Sequence, residues 1–287
     1  MQVFTLPETA AIKVLLTGDT DFVVEFASIL ERRSIPFRIL PPMDELDELD
    51  MELDIVDQAI GEAALDADQY GSFASFVIGD VRNDAGTFTH IIDLSVAPLL
   101  DRKTTIEIAG AVNPKATIVV SVLTNTATEM GMLTNTGRRI AGIGLAPSIM
   151  STTSRVDLAG GLNTVSHHLD HAAHLLRSLG YEVEVVEDRV GLVQMRILAM
   201  LVNEAAFAVM EGLASPEDID QAMKLGVNYP KGLLAWADEI GIPIITLILD
   251  GLYREYQQER YRPCVLLKQY MRAGWHGKLT GRGFFTY

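Results

Sequence analysis

A short apolar run that ends in a glycine, followed by a helix and a second apolar run, most constrains the fold of this chain. Residues 12–17 form the first run, Gly18 ends it, a helix is predicted over residues 21–33, and residues 36–40 form the second run. Strand, tight turn, helix and strand in this order open a doubly wound parallel sheet. Further apolar runs predict strands at residues 73–78, 89–97 and 116–122.

From about residue 190 onward the pattern becomes helical. Ser215 is a suitable N-cap, Pro216 occupies the first helical position, and Asp218 has the spacing of a capping box. Gly226 and Gly241 are placed to end helices. The pattern therefore predicts a C-terminal part made of helices alone.

These C-terminal residues also carry a family resemblance. The runs EDIDQAMKLGVNYPKGLLAWADEIG and KLTGRGFFTY resemble the C-terminal domain of the 3-hydroxyacyl-CoA dehydrogenase family. The resemblance implies an α/β fold in which a Rossmann-like doubly wound sheet, residues 1–188, precedes an all-α dimerisation domain, residues 189–287. It also implies a homodimer that forms through the helical domain, with a small-molecule or acyl ligand.

The net charge limits the class of partner, and the cysteine content indicates the compartment. The formal net charge is -15, which argues against nucleic acid and anionic membrane surfaces as partners. No apolar run approaches the roughly 18–20 residues of a membrane span, and the N-terminus has no basic or apolar leader pattern. The single cysteine, Cys264, excludes an intrachain disulfide and fits a reducing compartment. We therefore predict a cytoplasmic protein.

The turn after the first strand is where the family binds NAD. Its usual sequence is G-x-G-x-x-G, whose glycines permit the tight turn, the approach of the pyrophosphate and close helix packing. Here residues 18–23 read GDTDFV, so only the first glycine is present. We expect the carboxylates of Asp19 and Asp21 to occupy the helix N-terminus and to repel a phosphate. Gly18, Asp19 and Thr20 are the cofactor-binding candidates if NAD binds in a non-standard way.

Two further family positions concern the cofactor and the substrate. The position of the ribose-binding acid falls on Pro41, and Asp44 is the nearest substitute. Asp93 matches a strand-end glutamate of the family and is a further cofactor-binding candidate. Ser121 matches a family serine and is a candidate partner for a substrate hydroxyl, although a bond to nearby backbone is the simpler expectation. On these grounds no cofactor is expected, or NAD if the chain is active.

The catalytic positions of the family are also altered. The resemblance places the histidine base at Gly144, the orienting acid at Asp157 and an asparagine at Met195. Residues 91–166 contain no histidine, so no local realignment restores the base. Asp157 and Ser121 are the remaining catalytic candidates.

Two polar clusters allow both a functional and a structural interpretation. Residues 44–68 contain eleven acidic and no basic residues, and the apolar spacing over residues 44–60 predicts an amphipathic helix, either a solvated face or a partner-binding surface. His167, His171 and His174 are spaced on one helical face, which fits a solvated surface or a transition-metal site. We predict no metal.

These features together lead to two hypotheses about function. The first is that the chain has lost the usual NAD-dependent hydride transfer and is a non-catalytic or repurposed dimer, because base, amides, glycines and ribose acid are all replaced. The alternative is an active NAD(P)-dependent oxidoreductase that acts on a 3-hydroxyacyl-CoA or a related hydroxy acid and uses non-standard residues.

Overall fold

The computed structural model describes residues 12–42, 63–78 and 87–287. Within these residues seven strands form one sheet in the order β2-β1-β3-β4-β5-β6-β7. The pairs are parallel except for β5 and β6, which are antiparallel. The strands are β1 (Val14–Gly18), β2 (Phe37–Ile39), β3 (His90–Leu94), β4 (Thr117–Ser121), β5 (Ile140–Ile143), β6 (Arg155–Gly160) and β7 (Glu182–Val185).

Nine α-helices are present in the described residues, four among the strands and five after them. The first four are α1 (Thr20–Arg32), α2 (Leu99–Val112), α3 (Ala127–Leu133) and α4 (Ser166–Ser178). The other five are α5 (Gln194–Met210), α6 (Pro216–Gly226), α7 (Leu233–Ile240), α8 (Ile242–Tyr256) and α9 (Val265–Arg272). The predicted α/β sheet followed by a helical part is confirmed. No helix in the described ranges is long and apolar enough to cross a membrane.

The sheet changes direction at β1, which lies between β2 and β3. In open α/β sheets, ligands bind outside the carboxyl ends of the strands at such a reversal. Gly18 ends β1 here with a φ of +122°, and a Cβ on this residue would lie 2.4 Å from the carbonyl carbon of Leu94. Glycine is therefore required where the ends of β1 and β3 meet.

The core covers both faces of the sheet. Val14 and Leu16 point into one hydrophobic cluster, and Leu15 points into another, as the alternation of side chains along a strand dictates. The first cluster continues into α5, α7 and α8. The sheet and the C-terminal helices therefore share one core.

Asp157 also joins the sheet to the helices. Its carboxylate, on β6, accepts hydrogen bonds from the backbone N–H groups of Val193 (3.0 Å) and Gln194 (2.8 Å), where α5 begins. This bond places the first turn of α5 against the sheet.

The helix caps predicted for the C-terminal part are confirmed. The Ser215 hydroxyl accepts from the Asp218 N–H at 3.2 Å, and Pro216 begins α6. Gly226 is the last residue of α6, and Gly241 follows α7 with a φ of +106°.

The strand predicted at residues 73–78 is wrong. A 3-10 helix covers Ala63–Phe76, and in this run only Val77 forms a strand-like bridge, to Ile39. Phe73 and Phe76 lie one 3-10 turn apart, so both contact Phe37, with ring centroids 5.8 and 4.6 Å away. The predicted acidic helix over residues 44–60, including Asp44, lies outside the described residues.

Candidate active site

The turn between β1 and α1 differs from the prediction in where its carboxylate points. Asp19 precedes α1, but its side chain does not cap the helix. Its carboxylate instead accepts hydrogen bonds from the Ser95 hydroxyl (3.1 Å) and the Val96 N–H (2.9 Å), after β3. Thr20 donates to Gln69 at 3.0 Å and does not cap the helix either. The expectation that Asp19 fills the N-terminus of α1 is therefore wrong, and the first N–H groups of α1 are not used by its side chain. Asp21 does lie in the first turn of α1, as expected.

A crevice of about 390 Å³ opens beside this turn, at the carboxyl ends of β1 and β3. It is lined by Thr17, Gly18, Asp93 and Arg102, among others. Asp93 and Arg102 are both 3% exposed and form an ion pair, in which Arg102 Nε donates to Asp93 at 2.8 Å. Burial raises the pKa of Asp93, and the Arg102 guanidinium opposes that rise. Asp93 therefore serves to hold Arg102 in place.

Three buried polar atoms near the crevice have no hydrogen-bond partner among the described residues. They are Arg102 Nη1, Thr17 Oγ1 and Ser121 Oγ. The expected bond from Ser121 to nearby backbone is thus absent, although its carbonyl oxygen accepts from Arg102 Nη2 at 2.9 Å. A buried donor without a partner costs about 1–3 kcal/mol. Such atoms at a sheet reversal indicate a place for a ligand that carries acceptor oxygens.

A second cavity, of about 830 Å³, lies between the sheet and the C-terminal helices. One wall is the start of α1, another is the loop after β5 with Pro147 and Ser148, and the third comes from the C-terminal part with Gly241, His276 and Lys278. Asp19 lines both this cleft and the crevice. The two spaces therefore adjoin, as an extended ligand or a pair of ligands requires.

His276 is one of the residues that line the cleft. Its Nε2 lies 3.3 Å from the carbonyl oxygen of Met271. Because a carbonyl can only accept, this bond puts the proton of the neutral ring on Nε2 and leaves Nδ1 as an acceptor. No bond from Nδ1 is found among the described residues. A neutral imidazole held this way can take up a proton from a bound hydroxyl group.

Hydrogen bonds to Asp238 hold the C-terminal segment that carries His276. The Asp238 carboxylate accepts from the N–H groups of Phe284 and Phe285, each at 2.9 Å, and from the Tyr287 hydroxyl at 3.3 Å. Gly277 has a φ of +111°, and a Cβ there would lie 2.3 Å from the carbonyl oxygen of Asp238. Burial raises the pKa of Asp238, and the N–H groups of Phe285 and Phe284 oppose the rise.

The structure gives the predicted catalytic positions other roles. Asp157 caps the start of α5 and has no histidine to orient. A Cβ on Gly144 would lie 3.5 Å from Gly191 and Leu192, so this position faces the start of the helical part. Met195 is buried in α5. The described residues contain no group of three side chains placed to hold a metal, so the three-histidine metal hypothesis finds no support.

Sequence reasoning missed His276 because it searched for the base only near the family's position. The signal was present in the run WHGKLTGRG, where a histidine precedes a glycine in a turn-rich segment. It also missed Arg102, which no family position pointed to.

Comparisons with known proteins agree with this architecture. Residues 191–287 match the family model "3-hydroxyacyl-CoA dehydrogenase, C-terminal domain". A probable 3-hydroxybutyryl-CoA dehydrogenase of Bacillus subtilis is 38% identical over 160 residues, which are 56% of this chain and 55% of that protein. A 3-hydroxybutyryl-CoA dehydrogenase of Bradyrhizobium diazoefficiens is 33% identical over 186 residues, which are 65% of this chain and 63% of that protein. The chain thus spans less than two thirds of the length of both relatives.

A solved structure shares the fold over nearly the whole chain. The crystal structure of (S)-3-hydroxybutyryl-CoA dehydrogenase PaaH1 from Ralstonia eutropha covers 97% of this chain and 99% of its own, with a TM-score of 0.74 and 24% identity. At that identity the match concerns the fold alone.

The names of the sequence relatives overturn one of our expectations. At 33% and 38% identity these relatives are named as dehydrogenases, so the hypothesis of a chain that has lost hydride transfer is wrong. The idea of a degenerate NAD turn is likewise unsupported, since Asp19 leaves the start of α1 uncapped. The matched C-terminal domain and the sequence relatives confirm the resemblance of this chain to the 3-hydroxyacyl-CoA dehydrogenase family.

Proposed function

We propose that this chain is an active nicotinamide-dependent dehydrogenase that oxidises the hydroxyl group of a 3-hydroxyacyl-CoA or a related hydroxy acid. The observation that carries the proposal is the pair of adjoining cavities. The crevice offers donors without a partner among the described residues to an anionic cofactor, and His276 lines the cleft. Asp19 lies where the two spaces meet. The names of the sequence relatives support the same reaction class.

The residues of the crevice fit a dinucleotide. The start of α1 has no side-chain cap, so its N–H groups are available to a phosphate, while Asp21 is the acidic residue in this first turn. Arg102 Nη1 and the Thr17 hydroxyl are buried donors without a partner among the described residues, and both can donate to oxygens of the cofactor. When bound, the nicotinamide ring supplies the hydride acceptor.

The cleft supplies the groups that would act on the substrate. His276 Nδ1 takes the proton of the substrate hydroxyl group, while the carbonyl of Met271 fixes the imidazole ring. Lys278 is an exposed cation at the same cleft and is placed to meet the phosphates of coenzyme A. Glu25 fixes the loop after β5 by accepting from the N–H groups of Ser148 (2.7 Å) and Ser151 (3.1 Å).

The test combines cofactor binding with turnover. Calorimetric titration with NADH and NADPH measures the Kd of cofactor binding at the crevice. The absorbance of NADH formed from NAD and 3-hydroxybutyryl-CoA measures the rate of the reaction. We expect His276→Gln to lower kcat by about 10²–10⁴-fold, the usual contribution of a general base, with an unchanged Kd for NADH. His174→Gln is the matched control, because His174 is exposed on α4.

Two results would contradict the proposal. Wild-type protein that binds neither NADH nor NADPH would exclude the dehydrogenase. A His276→Gln variant that turns over at the wild-type rate would remove His276 from the mechanism.

The homodimer and the cytoplasmic location stay predictions. Large exposed hydrophobic side chains on the helical part, such as Leu213 (79% exposed) and Leu225 (77% exposed), support a subunit contact there. Light scattering of the purified protein measures the number of subunits.

A further inference from the structure

A cavity of about 720 Å³ lies at the amino-terminal ends of β4 and β5, the sheet edge opposite to the proposed active site. We call it the rear cavity. Its lining includes Arg138, Arg139, His167 and His168, with side-chain amides from Asn135 and Asn163. None of its lining residues is Asp or Glu. This composition is unusual in a chain with 38 acidic and 23 basic residues, so the rear cavity is a local concentration of positive charge and hydrogen-bond donors.

Backbone carbonyls hold the guanidinium of Arg139 in place, and no carboxylate of the described residues pairs with it. Its guanidinium donates to the backbone carbonyls of Gly110 (2.7 Å), Asn113 (2.8 Å) and Ala116 (3.2 Å). Carbonyls satisfy the donors but leave the positive charge uncompensated. Neighbouring Arg138 is exposed, and its side chain makes no ion pair among the described residues. An anion at the rear cavity would therefore meet two arginines, one rigid and one adjustable.

The start of α4 adds further donors. Val165 precedes the helix without a side-chain cap, and the first turn contains no acidic residue. His168 is 8% exposed, and its Nδ1 lies 2.8 Å from the Thr117 hydroxyl. Its Nε2 has no partner among the described residues, although the ring lines the rear cavity. His168 and the residue that precedes α4 thus line the same space, and helix N-termini recur at anion sites.

Carboxylates in the surroundings do not fill the rear cavity. Asp188 accepts from the Ala127 N–H (2.9 Å), the Thr128 N–H (2.8 Å) and the Thr128 hydroxyl (2.7 Å), so its oxygens are already engaged. Asp170, further along α4, is exposed. Neither carboxylate lines the rear cavity.

Two exposed apolar side chains flank the donors. Met132 is 77% exposed and Leu162 is 89% exposed, and both line the rear cavity. Large aliphatic side chains next to concentrated cations fit an organic group that carries a phosphate better than they fit a bare inorganic ion. We propose that the rear cavity binds a small organic phosphate, with the phosphate at Arg138, His168 and the start of α4, and the organic group at Met132 and Leu162.

Calorimetry with three probes tests this site. Wild-type protein at low salt is titrated with phenyl phosphate, inorganic phosphate and phenol. We expect phenyl phosphate to bind most tightly and its affinity to fall as salt is added. Arg138→Gln should weaken phenyl phosphate binding about tenfold, the value of a charge-assisted hydrogen bond. Arg177→Gln is the matched control, since Arg177 is an exposed arginine at the other end of α4.

A second variant tests the apolar flank. Leu162→Ser should weaken binding of phenyl phosphate and leave binding of inorganic phosphate unchanged. Equal effects of Arg138→Gln and Arg177→Gln, or no binding of phenyl phosphate to the wild type, would refute the site. If inorganic phosphate binds as tightly as phenyl phosphate, the organic part of the proposal is wrong. NADH does not enter this assay, so its outcome is independent of the dehydrogenase proposal.

Discussion

Two buried histidines should make the fold sensitive to mild acid. Burial lowers the pKa of His90 and of His168 from 6.5 to about 4, and neighbouring imidazoles add to the effect. Between those values the unfolded chain binds more protons than the folded one, so stability falls as pH decreases through 6.5 towards 4. From pH 7.5 to 5.0 each histidine should cost about 2 kcal/mol.

His168→Asn isolates one half of this effect. The Asn amide takes the place of Nδ1, so the contact with Thr117 is kept while the titrating group is removed. Urea unfolding followed by circular dichroism at pH 7.5 and 5.0 should show a loss about 2 kcal/mol smaller than in the wild type. His174→Asn, an exposed position on the same helix, serves as the control. An identical pH dependence in His168→Asn and wild type would refute the reasoning.

Two further substitutions probe the ends of the strands. Gly18→Ala should destabilise the protein by about 3 kcal/mol or more, because it combines a positive φ with a contact of 2.4 Å to Leu94, and a melting temperature equal to wild type would contradict this. Asp157→Ala should cost about 1–3 kcal/mol in urea unfolding, because the N–H groups of Val193 and Gln194 lose their acceptor. Asp157→Asn keeps one acceptor oxygen and should therefore lower the free energy of unfolding by less than Asp157→Ala does.

Local patterns predicted much of the fold. The buried runs that became β1, β3 and β4 contain enough apolar residues to be recognised without their neighbours. The cap at Ser215 was predicted because Ser, Pro and Asp at these spacings satisfy N–H groups within the same turn. Such features depend on residues close in sequence, so the chain alone reveals them.

The site depended on contacts between distant segments. Asp19 was expected at the start of α1, but Ser95 and Val96, more than seventy positions away, supply its partners. Phe73 and Phe76 were assigned to a strand because the run is apolar, whereas packing on Phe37 favours a 3-10 helix. The position of His276 beside the start of α1 follows only from how the helical part packs on the sheet.

The bonds from Asp238 to the last residues of the chain bear on how mutagenesis of this protein should be interpreted. Asp238 lines the cleft and carries a buried carboxylate, so an alanine scan that found it essential would suggest a proton carrier. Its oxygens already accept from Phe284, Phe285 and Tyr287, which tie down the segment that presents His276. Loss of activity on substitution of Asp238 would then result from displacement of the His276 imidazole and not from loss of an acid. Imidazole added to the assay buffer should restore activity in the first case and not in the second.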